Sequence, residues 1–443
     1  MSTASDSPHR YLDRFERFAR DTTASTPPWL AVLRKDAIAR FVDAGFPTRK
    51  LEDWRYTSVS AIAERPFELA TDGAAGVSRG DVERVSFPVY ACSLFVFVNG
   101  RFAPQLSAPS ARPGNAYVES LAGALERWPA RVEPHLARIA PVGATPFVSL
   151  NTAFVRDGAF IHLPEGAIVE APIHVVYLSL AGDGPLVSHP RTLIVAGADS
   201  RATVIEDYVS VGAGASFTNA VTEVRVGAGA QLDFVRLQRE DEEAFQIASL
   251  HAVQDRDSRF TAHSFCLGGA IVRNDIVAAL QGEGADCTLD GLYVASGGAH
   301  VDNHTVIDHA QPRGTSRELY KGILGGSAKG VFHGKVIVRE GAQHTDARQT
   351  NRNLLLSRDA EVDSTPTLEI AADDVKCSHG STIGQLDDAQ LFYLQARGID
   401  ATAARRLLMR AFASEVTARI RQEPLRGEIE ELLLGRIERE QAA

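Results

Sequence analysis

Cysteine is scarce: the 443-residue chain has four, Cys92, Cys266, Cys287 and Cys377, and no CxxC pair. Thiols so few and so far apart cannot form a disulfide framework, and they fit a reducing compartment. Long apolar runs are absent too. None approaches the roughly 18 residues needed to span a bilayer, and the opening MSTASDSPHRYLDRF offers no apolar stretch suited to a signal peptide. A soluble cytoplasmic protein is expected. Positive charge is in deficit, with 46 Lys and Arg against 56 Asp and Glu and a net charge of −10. That balance argues against a general binder of nucleic acid or anionic membranes. Two locally basic stretches, Arg34–Arg55 and Arg405–Arg421, read on this background as solvated helix faces.

Several catalytic signatures are missing. The strings nearest to a phosphate-binding loop, GVFHGKV (330–336) and GILGGSAKG (322–330), have the wrong glycine spacing and lack Lys-Ser/Thr. The chain is therefore not expected to hydrolyse ATP. No GxGxxG opens a helix, and neither HExxH nor GxSxG occurs. No carboxylate pair stands out from the general acidity as a glycosidase pair.

What is present falls into three zones. Residues 1–145 read as mainly helical with loops. Leu30, Leu33, Ala37, Ile38 and Phe41 follow helical spacing up to a stop at Gly45, and a short helix is expected at Ser120–Trp128. SLFVFVNGRFAP (93–104) reads instead as a hairpin turning at Asn99-Gly100. From 146 to 386 short Val/Ile/Leu/Thr runs alternate with turns that resemble one another: VAGADS at 195, VGAGAS at 211, VGAGAQ at 226, GEGADC at 282, SGGAHV at 296. Such regularity means a sandwich, a barrel or a solenoid. A solenoid is favoured, because stacked turns need tight Gly-Ala corners where no large side chain fits. The fold class expected is mostly β with flanking helices, built on a β-helix core. Helices return at 387–443. Asp387 and Asp400 stand at N-cap positions, and Leu408, Phe412, Val416 and Ile420 recur at i+4. Their apolar stripe packs either on the β-core or on a partner.

Six of the thirteen histidines lie between 300 and 379: His300, His304, His309, His333, His344 and His379. Neighbouring turns of a solenoid stack about 4.8 Å apart, so these could form a column. In VDNHTVIDH, Asp302, His304, Val306 and Asp308 share one strand face, and in VFHGKVIV His333 and Lys335 oppose Phe332 and Val336. DDVKCSHGSTIG (373–384) places a thiol and an imidazole, Cys377 and His379, on one face with Asp373 and Val375. A buried cysteine beside a hydrogen-bonded histidine is one reading. A pair of ligands for iron, zinc or copper(I) is the other. Two ligands do not complete a site, so another turn or another subunit must supply the rest.

TRKLEDWRYTS (48–58), QTNRNLLLS (349–357), ADDVKCSHGSTIGQLD (372–387) and QLFYLQARGID (390–400) resemble the SufB/SufD family of iron–sulfur cluster assembly proteins, on the SufD side. The resemblance covers most of the chain and is strongest at 299–420. It implies a right-handed parallel β-helix between helical ends. It also implies a non-catalytic scaffold subunit that pairs with a SufB-like chain through the β-helix. A SufC-like ABC ATPase would dock on the C-terminal helices, and no nucleotide would bind to this chain. By this resemblance Cys377 and His379 contribute to iron, or to a transient iron–sulfur cluster, shared with the SufB-like partner. SufB-like chains carry a key cysteine about one turn upstream of this segment and a His-Glu pair in place of Ser378-His379. Here no cysteine lies between Cys287 and Cys377. A homodimer is an alternative when the chain is alone. Two competing functions are a purely structural partner without ligand role and a carbohydrate-active β-helix enzyme.

Overall fold

A computed structural model describes residues 7–70, 76–87, 93–109, 113–180 and 184–442; Cys92 lies outside them. The chain winds into a β-solenoid of about seven turns, flanked by helices at both ends of the sequence. Successive strands alternate between two sheets. The first sheet ends with Ile271–Leu280, His300–His309, Lys329–Val338 and Glu361–Ile370, all parallel. The second ends with Asp286–Ala295, Thr315–Leu324, Asp346–Leu355 and Lys376–Gly384, also parallel. Ile271, His300 and Lys329 are ladder partners, so a full turn here takes 29 residues.

The repeated small-residue turns are the corners. A Cβ on Gly282 would lie 2.0 Å from the backbone nitrogen of Arg256 in the preceding turn. No side chain larger than hydrogen fits without displacing backbone. Strand period two sends alternate residues inward, where Phe234, Leu289, Tyr320, Phe332 and Val336 share one continuous core.

Sheet pairing begins before residue 146. Ser93–Val98 runs parallel to Ile173–Leu180 in the second sheet and turns back as the expected hairpin, with φ of 49° at Asn99 and 76° at Gly100. The helix read from Leu30 spans Pro28–Ala44 and stops at Gly45, and Ser120 caps Leu121–Arg127. Helices Ser7–Thr22, Pro28–Ala44 and Pro146–Phe154 bring Tyr11, Phe15, Phe41, Phe147 and Phe154 onto the outer face of the first sheet at Phe217, Phe245 and Ile247.

The C-terminal helices cover the outer face of the second sheet. Met409, Val416 and Ile420 of Ala401–Thr417 and the turn after it, with Leu425, Ile429, Leu433 and Ile437 of Glu423–Ala442, pack on Leu292, Val294, Leu319, Ile323 and Leu354. Lys321 reinforces the joint: its Nζ lies 2.6 Å from Glu415 and 4.0 Å from the Phe412 ring centroid. Of the two destinations for the apolar stripe, the chain's own β-core is the one observed.

Candidate functional site at the last turn

Glu361–Ile370 and Lys376–Gly384 are the terminal strands of their sheets. Most of their residues are half-buried or exposed, including Ile370 at 44% and Ile383 at 50%. Each therefore presents an unpaired ladder edge. The chain leaves along Asp388–Ala396, capped by Asp387, whose side chain accepts from the N–H groups of Ala389 and Gln390. Unpaired strand edges of this kind are templates for a further strand.

Cys377 and His379 stand in this last turn, opposite Ala347 and Gln349. Both project from the inward face, as the two-residue period predicts. The strand starts at Lys376, so Asp373 and Val375 precede it; Val375 and Cys377 touch the inner core, whereas Asp373 and His379 are exposed. Burial pushes the Cys377 thiol pKa up, and Asp346 adds to this against a lowering hydrogen bond from the Ala347 backbone. A raised pKa disfavours the thiolate, which is the form that binds metal. His379 is the more accessible of the two side chains.

Behind His379 the interior changes character. One column of ladder partners runs Val204, Phe234, Ala262, Leu289, Glu318, Gln349, His379. It is apolar up to Leu289 and polar from Glu318 to the open end. Gln349 Nε2 donates to Glu318 Oε2 at 2.7 Å. Burial raises the Glu318 pKa to about 7, with the charge of Asp290 adding and hydrogen bonds from Thr305 and Gln349 opposing. Alongside, Asn351 Oδ1 accepts from Asn353 (2.6 Å) and Ser364 (2.8 Å), and Ser364 meets Ser381 at 2.8 Å, which ties the last two strands together. Tyr293 donates to Asn353 at 2.6 Å. Sequence reasoning missed this polar interior. Its trace was DARQTNRNLL, a strand whose inward positions read Ala347, Gln349, Asn351 and Asn353.

The histidines do not converge on one column. His309 points inward and meets Ser316 Oγ at 2.9 Å. His344 pairs with Asp374 at a corner, 2.9 Å away. His304 and His333 are ladder partners on the outer face of the first sheet, away from Cys377 and His379. The C-terminal arginines are partly spent on internal pairing: Arg419 contacts Asp290 at 2.9 Å and Arg406 contacts Glu438 at 3.0 Å. Besides Ile370 and Ile383, the short helix after the last turn exposes Phe392 (72%) and Tyr393 (56%).

Known proteins resemble this chain over most of its length. The family model described as SUF system FeS cluster assembly, SufBD core domain, matches residues 178–412, and that of the SufBD protein N-terminal region matches 5–175. An iron-sulfur cluster assembly SufBD family protein of Synechocystis is 32% identical over 391 residues, covering 86% of each chain. The iron-sulfur cluster assembly protein SufD of Escherichia coli is 31% identical over 394 residues, 88% of this chain and 89% of that one. Bacillus subtilis SufD is 26% identical over 424 residues, 93% and 94% of the two chains.

Proposed function

The chain belongs to the SufBD family of iron–sulfur cluster assembly proteins, and from that premise we propose that it is a non-catalytic scaffold whose last turn is one half of an assembly site. The observation that carries this reading is the uncovered end of the solenoid, with His379 exposed and Cys377 beside it on an inward face. Two ligands from one chain leave a site half built. A SufB-like subunit joined at the same strand edges would supply the others, and the nascent iron–sulfur cluster is the cargo held between them. The exposure of His379, against the half-buried Cys377, supports His379 as the leading ligand.

A SufC-like ATPase would dock at the C-terminal helices, against Phe392, Tyr393 and the exposed face of Ala401–Thr417. That helix and the turn after it are bonded to the second sheet through Glu415–Lys321 and Arg419–Asp290. A pull on the helix would therefore strain the strands that lead to the last turn, and both ends would bias one opening of the seam. A disulfide across the seam that left cluster assembly untouched would count against this step.

The test is iron and acid-labile sulfide in the anaerobically co-purified complex with SufB- and SufC-like subunits, for wild type and His379→Ala. A fall in both with the complex intact supports the ligand role. Unchanged iron and sulfide would reduce this chain to a structural partner.

A further inference from the structure

A second cluster of metal-binding groups lies on the other sheet and on the other face. His304 and His333 are outward-facing ladder partners with ring centroids 5.0 Å apart. Asp53 joins them from the N-terminal region, and one ligand atom from each of the three lies within 4.8 Å of those of the other two. No hydrogen bond or ion pair joins the Asp53 carboxylate to either imidazole among the described residues. The three donors thus face one another without satisfying one another. Ligands around a tetrahedral ion with bonds of 2.0–2.2 Å stand about 3.4 Å apart, so a small contraction would close the set on an ion.

The surroundings hold the three residues in place. Trp54, next to Asp53, is buried with its ring 3.8 Å from the Arg273 guanidinium, and Arg273 donates to the Asp53 carbonyl at 2.7 Å. Arg273 also pairs with Asp275 (2.8 Å) and Asp302 (2.7 Å). The Thr57 hydroxyl donates to Asp302 at 2.5 Å and so accepts from His300 Nε2 at 2.8 Å. His304 Nε2 in turn lies 3.0 Å from Asp302 Oδ1 and 3.3 Å from Arg273 Nη1; in the tautomer with the proton on Nε2 it donates to Asp302 and Nδ1 is free. A carboxylate behind an imidazole is the arrangement that orients metal-ligating histidines and fixes which nitrogen is free. Arg273 is the nearest cation, and two carboxylates balance it. Asp53 and Glu52 both act electrostatically on His333 in the direction that favours a cation.

We propose that Asp53, His304 and His333 form a binding site for a divalent first-row transition ion, Fe²⁺ or Zn²⁺, with the remaining positions open to water or a further ligand. Two imidazoles and one carboxylate are borderline donors suited to either ion. The site belongs to this chain alone and does not depend on the shared seam.

The experiment uses the isolated full chain, stripped with a chelator and equilibrated with Zn²⁺ or, without oxygen, with Fe²⁺. One equivalent of either ion is expected per chain, with affinity falling at least about tenfold in Asp53→Ala and in His333→Ala, and unchanged in His379→Ala and Cys377→Ser. Asp53 is exposed, so its replacement tests the site without opening the core. A rise in Tm with Zn²⁺ in wild type but not in Asp53→Ala would give independent support. Binding that survives the Asp53→Ala/His333→Ala double variant, binding lost in His379→Ala alone, or no binding of either ion would overturn the proposal. The scaffold reading would stand or fall separately, on the complex.

Discussion

Replacing Glu318 with Gln removes a titration while keeping the side-chain shape and an oxygen that can accept from Gln349 Nε2. In the folded chain burial holds the Glu318 pKa at about 7, against an ordinary value of 4.5. The native state thus keeps its proton where the unfolded chain has lost it. The contribution of Glu318 to stability is fully present below about pH 4.5 and is lost as pH rises through about 7. A shift of this size is worth about 3 kcal/mol, at about 1.4 kcal/mol per unit. Glu318→Gln does not titrate. Its stability relative to wild type should therefore climb by about 3 kcal/mol between pH 4.5 and pH 8, mostly between pH 5 and 7. Asp290, whose pKa burial also raises to about 7, remains in both proteins and largely cancels in the difference. Urea titrations of both proteins at half-unit pH steps measure it. A difference that is flat with pH would refute the reasoning and mean that water reaches Glu318.

Gly291 faces the Tyr320 ring of the next turn, and a Cβ there would sit 2.1 Å from a ring carbon. Gly291→Ala should cost about 1–3 kcal/mol, read as a lower urea midpoint at unchanged slope. Phe392→Glu at the exposed helix after the last turn should leave the unfolding free energy within about 0.5 kcal/mol of wild type. The same variant should weaken capture of a SufC-like ATPase in co-purification; undiminished capture would move the docking surface elsewhere.

The corners were legible because similar small-residue turns recur along the sequence, although the crowding that Gly282 meets against Arg256 of the preceding turn shows only once the turns are stacked. The pairing of Cys377 with His379 on one face was legible for a similar reason, since period two acts within a single strand. Contacts between turns were not. Glu318, Gln349 and His379 are about 30 residues apart in sequence and meet only once the register is set. The histidine column failed on the same point. With a 29-residue step, His300 falls opposite Lys329 and His309 opposite Val338, so only His304 meets another histidine, His333. Nothing in LEDWRYTS announced that Asp53 would cross to them. The apolar stripe around Val416 was visible but ambiguous, because the same spacing serves a β-core or a partner.

The two ends of the solenoid differ in a way that limits stoichiometry. The last turn exposes two long strand edges, whereas the opposite end of the sheets finishes in Tyr117–Ser120 and Arg101–Phe102, antiparallel strands of four and two residues. Strands so short are poor templates for addition. Polymerisation by stacking needs two competent ends, and among the described residues there is one. Any joint made at the last turn consumes the competent end of both participants, so assembly by this route terminates at a pair.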